Sequence, residues 1–224
     1  MPTEDSAQPT MMVIAIDGPA ASGKSSVSRM LSEKIHYAHI DTGAMYRGVT
    51  WRLLDLGVDT SDSDIIVAAL GDLNLECSLL EGKLSMRIDG LDPRPHIKDD
   101  QVNAAVSSVA CVPAIREHLV TKQRQLSELG NLVMEGRDIG SVVFPDTPYK
   151  FYIDADPKVR AQRRRAEGSA ETIGDRDRKD STRSTAPLTV ADDARVVDTT
   201  YLTLEGVVGE LIGRLRLKGL DVNL

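Results

Sequence analysis

Short apolar runs that end at acidic or glycine-rich turns mark both ends of the chain. Met11–Ile16 is apolar, rich in β-branched residues, and stops at Asp17-Gly18-Pro19, the pattern of a buried strand entering a turn. From Lys24 the period changes, and Val27, Met30, Leu31 and Ile35 fall on one helical face. The same design recurs downstream. Asn131–Met134 runs into Glu135-Gly136-Arg137-Asp138, Lys150–Ile153 ends at Asp154, and Arg195–Val197 ends at Asp198. Asp156 reads as a helix cap with Pro157 at the first helical position. Val207, Val208, Leu211, Ile212 and Leu215 form a closing apolar stripe. Strands alternating with helices predict an α/β fold, a doubly wound parallel sheet of about five strands with helices on both faces. Ligands in such sheets bind beyond the C-terminal strand ends, where these acidic and glycine-rich residues fall.

The middle of the chain, roughly residues 60–129, reads differently. Leu84–Ile88 alternates and is followed by Asp89-Gly90, a hairpin signal. Val102–Ala110 and Ala114–Leu129 look helical around Pro113. This stretch is expected to be an inserted substrate-side domain. Residues 11–59 and 130–224 would then form the core, with 1–10 a disordered polar tail rather than a signal peptide.

Gly18-Pro19-Ala20-Ala21-Ser22-Gly23-Lys24-Ser25 matches G-x-x-x-x-G-K-[ST] without exception, between a predicted strand and a predicted helix. Glycines let backbone N–H groups turn toward phosphate oxygens, and the helix adds its positive N-terminal end. Lys24 can reach the β- and γ-phosphates, and the Ser25 hydroxyl can ligate Mg²⁺. The motif points to nucleoside-triphosphate binding without naming the reaction.

Charge narrows the partners. The formal net charge is −7, which disfavours a nucleic-acid or anionic-membrane partner. No apolar run approaches the ~18–20 residues of a membrane span. Cys77 and Cys111 lack zinc-type spacing and read as buried free thiols. The chain has no Asn-Lys-x-Asp guanine-reading motif, and Asp154 is followed by Ala155 rather than by a second acid.

It does have arginines. Arg160, Arg163, Arg164 and Arg165 crowd one predicted helix, with Arg160, Arg163 and Arg164 on one face, and Arg176, Arg178 and Arg183 follow. Such a run can be a solvated charged face. It can equally hold an anion, since phosphoryl transfer spreads charge over the transferring oxygens. His36 and His39 lack companion ligands and read as structural or solvated. No base is evident, and a phosphate acceptor, already anionic, needs positioning more than deprotonation.

Three further segments carry a resemblance: Asp41-Thr42-Gly43-Ala44-Met45-Tyr46-Arg47, Glu135 through Pro145, and Arg176-Asp177-Arg178-Lys179-Asp180-Ser181-Thr182-Arg183 leading into Ala186-Pro187-Leu188. With the P-loop, they make the chain from about Met12 onward resemble the bacterial cytidylate kinases, P-loop kinases of nucleoside monophosphates. The resemblance implies transfer of the γ-phosphoryl of ATP to CMP or dCMP, with Mg²⁺, by a cytoplasmic monomer. It implies ATP binding by Gly18, Pro19, Ala20, Ala21, Ser22, Gly23, Lys24, Ser25 and Ser26. Arg47 and Arg137 would hold the CMP phosphate, with Arg183 nearby. Thr42, Arg116 and Asp138 would read cytosine, and Ser107, Arg176 and Asp180 would meet the sugar. Ser25 would ligate Mg²⁺ directly and Glu135 through water, at a position where the family commonly has Asp. Arg163, Arg164 and Arg165 would close on ATP from a lid over about residues 163–183. Catalysis would then rest on Lys24, Arg47, Arg137, Arg163, Arg164 and Arg183.

Between Arg165 and Arg176 the chain is shorter than the family pattern, which opens the question of how the lid closes. A P-loop kinase for another small acceptor and a non-catalytic nucleotide-binding module are the competing readings.

Overall fold

The structure, a computed structural model, describes residues 11–166 and 188–222. Among them, β1 (Val13–Asp17), β2 (Ala38–Asp41), β3 (Leu75–Leu80), β4 (Lys83–Ile88), β5 (Leu132–Gly136), β6 (Tyr149–Asp154) and β7 (Arg195–Asp198) form one sheet of order β3-β4-β2-β5-β1-β6-β7. Every neighbouring pair is parallel except the β3–β4 hairpin. Helices α1 (Lys24–Ile35), α2 (Thr42–Asp55), α3 (Ser63–Leu70), α4 (Asp100–Val109), α5 (Pro113–Leu126), α6 (Pro157–Ala166) and α7 (Leu204–Leu217) complete the described elements.

The apolar runs become central strands because both sheet faces are covered. Along β1 the side chains alternate. Val13 and Ala15 join Ile40, Met45, Val49, Ile115, Leu119 and Met134 in one core. Ile14 and Ile16 join Val27, Leu31, Ile35, Phe151, Val208, Leu211 and Leu215 in the other. Helices α1 and α7 therefore cover one face, and α2 and α5 the opposite one.

The doubly wound α/β class holds, but the sheet has seven strands rather than about five. Two features account for the difference. Ala38-His39-Ile40-Asp41 is only four residues long and carries a histidine, so it gives no apolar run. The β3–β4 hairpin adds two strands to the sheet edge, joined to β2 through the His39–Lys83 pairing. Its turn lies before Leu84, at Glu81 and Gly82, whose φ values of 49° and 69° are those of a type I′ hairpin turn. The expected Asp89-Gly90 turn also forms, with φ values of 50° and 77°, and folds Leu91 back onto Ile88.

The two helices around Pro113 are α4 and α5, and Pro113 is the first residue of α5. There its missing N–H costs nothing. Cys77 and Cys111 are free thiols, but half-buried rather than buried. Burial still pushes the Cys77 thiol up to about 11. Among the described residues no helix is long and apolar enough to cross a membrane. The expected tail at residues 1–10 lies outside the described residues.

Candidate active site at the strand ends

The first strand ends directly in the phosphate loop. Gly18 is obligatory on packing grounds, since a Cβ there would sit 2.1 Å from the Ile153 carbonyl oxygen. Gly23 precedes α1 at φ 93°, a backbone state that glycine adopts without strain. Ser22 and Lys24 are buried, and Lys24 Nζ donates to the Pro19 carbonyl at 3.2 Å. Lys24 and the α1 N-terminus thus lie along one wall of a cleft whose lining also includes Thr42, Arg47, Arg116, Glu135, Arg137 and Asp138.

The end of β5 supplies the floor. Glu135 is 1% exposed, and both its carboxylate oxygens are engaged. Ser25 Oγ donates to Oε2 at 2.6 Å, and His39 Nε2 lies 3.1 Å from Oε1. Thr42, buried at the start of α2, donates its hydroxyl to the Glu135 carbonyl at 2.7 Å. Gly136 permits this approach, because a Cβ there would lie 2.7 Å from Thr42 Oγ1. Asp41 caps α2 through the Ala44 N–H and also accepts from Arg47 Nη2 at 3.0 Å. One carboxylate thereby starts the helix and orients the guanidinium one and a half turns along it.

Arg116 on α5 reaches over to Asp138. Its Nη2 donates to Asp138 Oδ2, and both residues are buried. Arg116 also lies over the Tyr46 ring, 5.7 Å from its centroid, a cation–π arrangement. Asp138 is positioned from below by Asp17, the last residue of β1. Asp17 Oδ1 and Oδ2 accept from the N–H groups of Ile139 and Gly140, each at 2.8 Å. Ile139–Val143 forms a single π-helical turn, a rare geometry that recurs at functional sites. Burial raises the Asp17 carboxyl to about 6. The two N–H donors oppose that rise, Asp138 adds to it, and Arg137 opposes it.

The arginine helix divides by role. Arg160 is buried, donates from Nε to the Ala155 carbonyl and from Nη1 to the Ala20 carbonyl, and lies 3.8 Å from Asp154. Arg163 donates to the Ser22 carbonyl and Thr199 Oγ1, each at 3.1 Å. Thr199 itself donates to the Ser22 carbonyl at 2.8 Å. Arg160, Arg163 and Thr199 therefore brace the phosphate loop from behind. Arg164 lines the cleft, and Arg165 is exposed.

The structure thus brings together Ala20, Ala21, Gly23, Lys24, Ser25, Ser26, Thr42, Arg47, Arg116, Glu135, Arg137, Asp138 and Arg164. Ser107 does not line the cleft. Its neighbour Val106 does, while the Ser107 hydroxyl is buried without a hydrogen-bond partner. Arg176, Asp180 and Arg183 lie outside the described residues. Four residues of the site were not among the expected site residues: Asp17, seen only as the acid that ends the first strand; His39, read as structural or solvated; Tyr46, given no role within its motif; and Thr199, which left no signal. His36 takes the structural role expected of it, ending α1 at φ 57°.

A strand–phosphate loop–helix unit at the carboxyl edge of a doubly wound parallel sheet, facing paired arginines, defines a P-loop nucleotide-binding protein. The sequence model of the cytidylate kinase family matches residues 14–216. The cytidylate kinase of Rhodococcus opacus (strain B4) is 44% identical over 213 residues, covering 90% of this chain and 93% of that one. That of Pelotomaculum thermopropionicum is 43% identical over 215 residues, covering 90% and 95%. That of Geobacillus thermodenitrificans is 42% identical over 210 residues, covering 89% and 94%. The chain belongs to the cytidylate kinase family.

Proposed function

We propose that this enzyme transfers the γ-phosphoryl group of ATP to CMP or dCMP, giving CDP or dCDP and ADP. The observation that carries the reading is the Arg116–Asp138 pair in the same cleft as Lys24 and the phosphate loop. Cytosine offers an amino donor at N4 and acceptors at N3 and O2. Asp138 accepts from N4, and Arg116 donates to the ring acceptors. Uracil puts an oxygen at position 4 and faces Asp138 with a second acceptor. A buried carboxylate left so costs more than about 1–3 kcal/mol, enough for about tenfold discrimination or more. A kinase for an unrelated acceptor has no evident use for that pair.

ATP lies with its phosphates along Gly18–Ser26, and Lys24 meets the β- and γ-oxygens. Arg47 and Arg137 hold the CMP phosphate, aided by Arg183. An oxygen of that phosphate attacks the γ-phosphorus in line, and the bond to the β,γ-bridging oxygen breaks, leaving ADP. Arg164 and Arg183 neutralise the spreading charge, while Arg163 holds the phosphate loop from behind through the Ser22 carbonyl. Arg176 and Asp180 serve the sugar, while Ser107 sits behind the cleft wall next to Val106.

Ser25 would hold Mg²⁺ directly, and Glu135 through a water. Their oxygens are hard donors 2.6 Å apart, and Mg²⁺ at phosphoryl-transfer sites takes one or two protein oxygens plus substrate phosphates. With its proton given to Oε2, the Ser25 oxygen keeps lone pairs for a cation. When bound, the ion screens the phosphate oxygens.

Residues 60–129 act as the CMP-binding domain and about 163–183 as the lid. We take the enzyme to act as a cytoplasmic monomer on small nucleotides, not on nucleic acid or membrane, in keeping with the net charge of −7.

The test is ADP release from Mg-ATP with CMP, dCMP, UMP, AMP or no acceptor. Fast turnover with CMP and dCMP, slow turnover with UMP and little without acceptor are expected. Tight ATP binding with no turnover on any acceptor would instead make the protein a nucleotide-binding module.

A further inference from the structure

His39 lies on the short strand β2, in a position that a parallel sheet makes useful. In the β2–β5 register His39 faces Val133 and Asp41 faces Glu135. His39 and Glu135 are therefore diagonal neighbours on one sheet face, two residues out of step, within reach of a long side chain. That face is the one α1 covers, because Val133 packs in the same core as Val27 and Leu31. Ser25, in the first turn of α1, comes down on Glu135 from the other side. The adjacent Ala38 and Ile40 point into the opposite core, so alternation along β2 fixes His39 on this side.

The result is a three-residue chain: His39 Nε2 to Glu135 Oε1 at 3.1 Å, and Ser25 Oγ to Glu135 Oε2 at 2.6 Å. A carboxylate offers only acceptors, so Nε2 carries the proton. A glutamate has three side-chain torsions, and its terminal one is broad. Ser25 alone restrains one oxygen and leaves the carboxylate plane able to swing. The second bond removes that freedom.

We infer that His39 is a positioning residue that locks the Glu135 carboxylate in the orientation needed at the cation site. The inference rests on the reading that Ser25 and Glu135 hold Mg²⁺. Hydrogen-bond partners of metal-facing carboxylates set metal affinity, and their loss commonly costs about tenfold or more. His39 touches neither nucleotide in this account, so its effect should appear only when the cation is present.

The experiment measures ATP affinity by titration calorimetry without CMP, in Mg²⁺ and in EDTA, for the wild type, His39→Phe and His39→Gln. Phenylalanine fills the histidine's place and suits a strand, but has no donor. Glutamine restores an N–H at comparable reach. Thermal melting checks that all three fold. His39→Phe should weaken Mg-ATP binding by about tenfold while ATP binding in EDTA stays within about twofold. His39→Gln should recover most of the loss. If Mg²⁺ strengthens ATP binding to the wild type but His39→Phe weakens it equally in both conditions, or not at all, the positioning role is wrong and the cation site stands. If Mg²⁺ makes no difference to the wild type, the cation reading at Ser25 and Glu135 falls, and this inference with it.

Discussion

Arg116 Nη2 donates to Asp138 Oδ2, and the two side chains, from α5 and from the segment after β5, are each 8% exposed. Two charges withdrawn from water stay ionised most cheaply beside each other, and each keeps further hydrogen-bonding capacity for a ligand edge. Each side chain is thus held in place by the other's charge, and groups fixed in this way lower the ordering cost of any ligand they bind.

Removing one partner separates recognition from stability. Asp138→Asn keeps the shape but offers uracil O4 a donor. The ratio of kcat/KM for CMP over UMP should fall by about tenfold or more, measured in one coupled assay. Arg116→Ala removes the guanidinium that bonds the buried Asp138 carboxylate and should cost about 3 kcal/mol in urea unfolding.

Lys24 sits buried at the start of α1 and lines the cleft, where the proposed reaction needs its charge on the phosphates. Lys24→Ala should lower kcat by about a hundredfold or more while shifting Tm by less than about 4 °C. Steady-state kinetics and melting on the same preparation check both. Unchanged activity would remove the phosphate loop from the mechanism.

Asp17 gives the enzyme a pH signature. Burial raises its carboxyl to about 6 from the ordinary 3.8, so the folded state binds the proton more tightly than the unfolded one. The resulting stabilisation is fully present below 3.8 and is lost as pH rises through about 6. Asp17→Asn abolishes this dependence and also sets an amide N–H against a backbone N–H of Ile139 or Gly140. The variant should be less stable throughout, and the gap to wild type should widen by about 1 kcal/mol between pH 7.5 and pH 5. Urea unfolding at the two pH values checks this.

Thr199 braces the phosphate loop across 177 residues of sequence, donating to the Ser22 carbonyl and accepting from Arg163. Thr199→Val keeps the shape and removes both bonds. It should cost about 1–3 kcal/mol and raise KM for ATP severalfold, with KM for CMP little changed. Equal effects on both substrates would argue against a donor-side role.

What could be read in the sequence was whatever is local. The phosphate loop, its flanking strand and helix, and the acids ending each later strand are fixed by neighbours a few residues away. Arg47 and Arg137 stood out within motifs, and the structure puts them in the same cleft. His39 did not stand out, because its meaning comes from the β2–β5 register and from a glutamate 96 positions away. Arg163 read as a ligand-facing charge, yet its guanidinium is held by main-chain carbonyls that no pattern of charges reveals. The seven-strand width escaped for a related reason: the β3–β4 hairpin belongs to the sheet only through its pairing at the edge of β2.

The most direct measurement follows the phosphorus itself. ATP labelled at the γ-phosphate is incubated with Mg²⁺, CMP and the enzyme, and the products are separated. The account predicts label in the β-phosphate of CDP, in amounts matching the ADP formed, with little free phosphate. Label released only as inorganic phosphate, or ATP retained intact beside CMP, would contradict it.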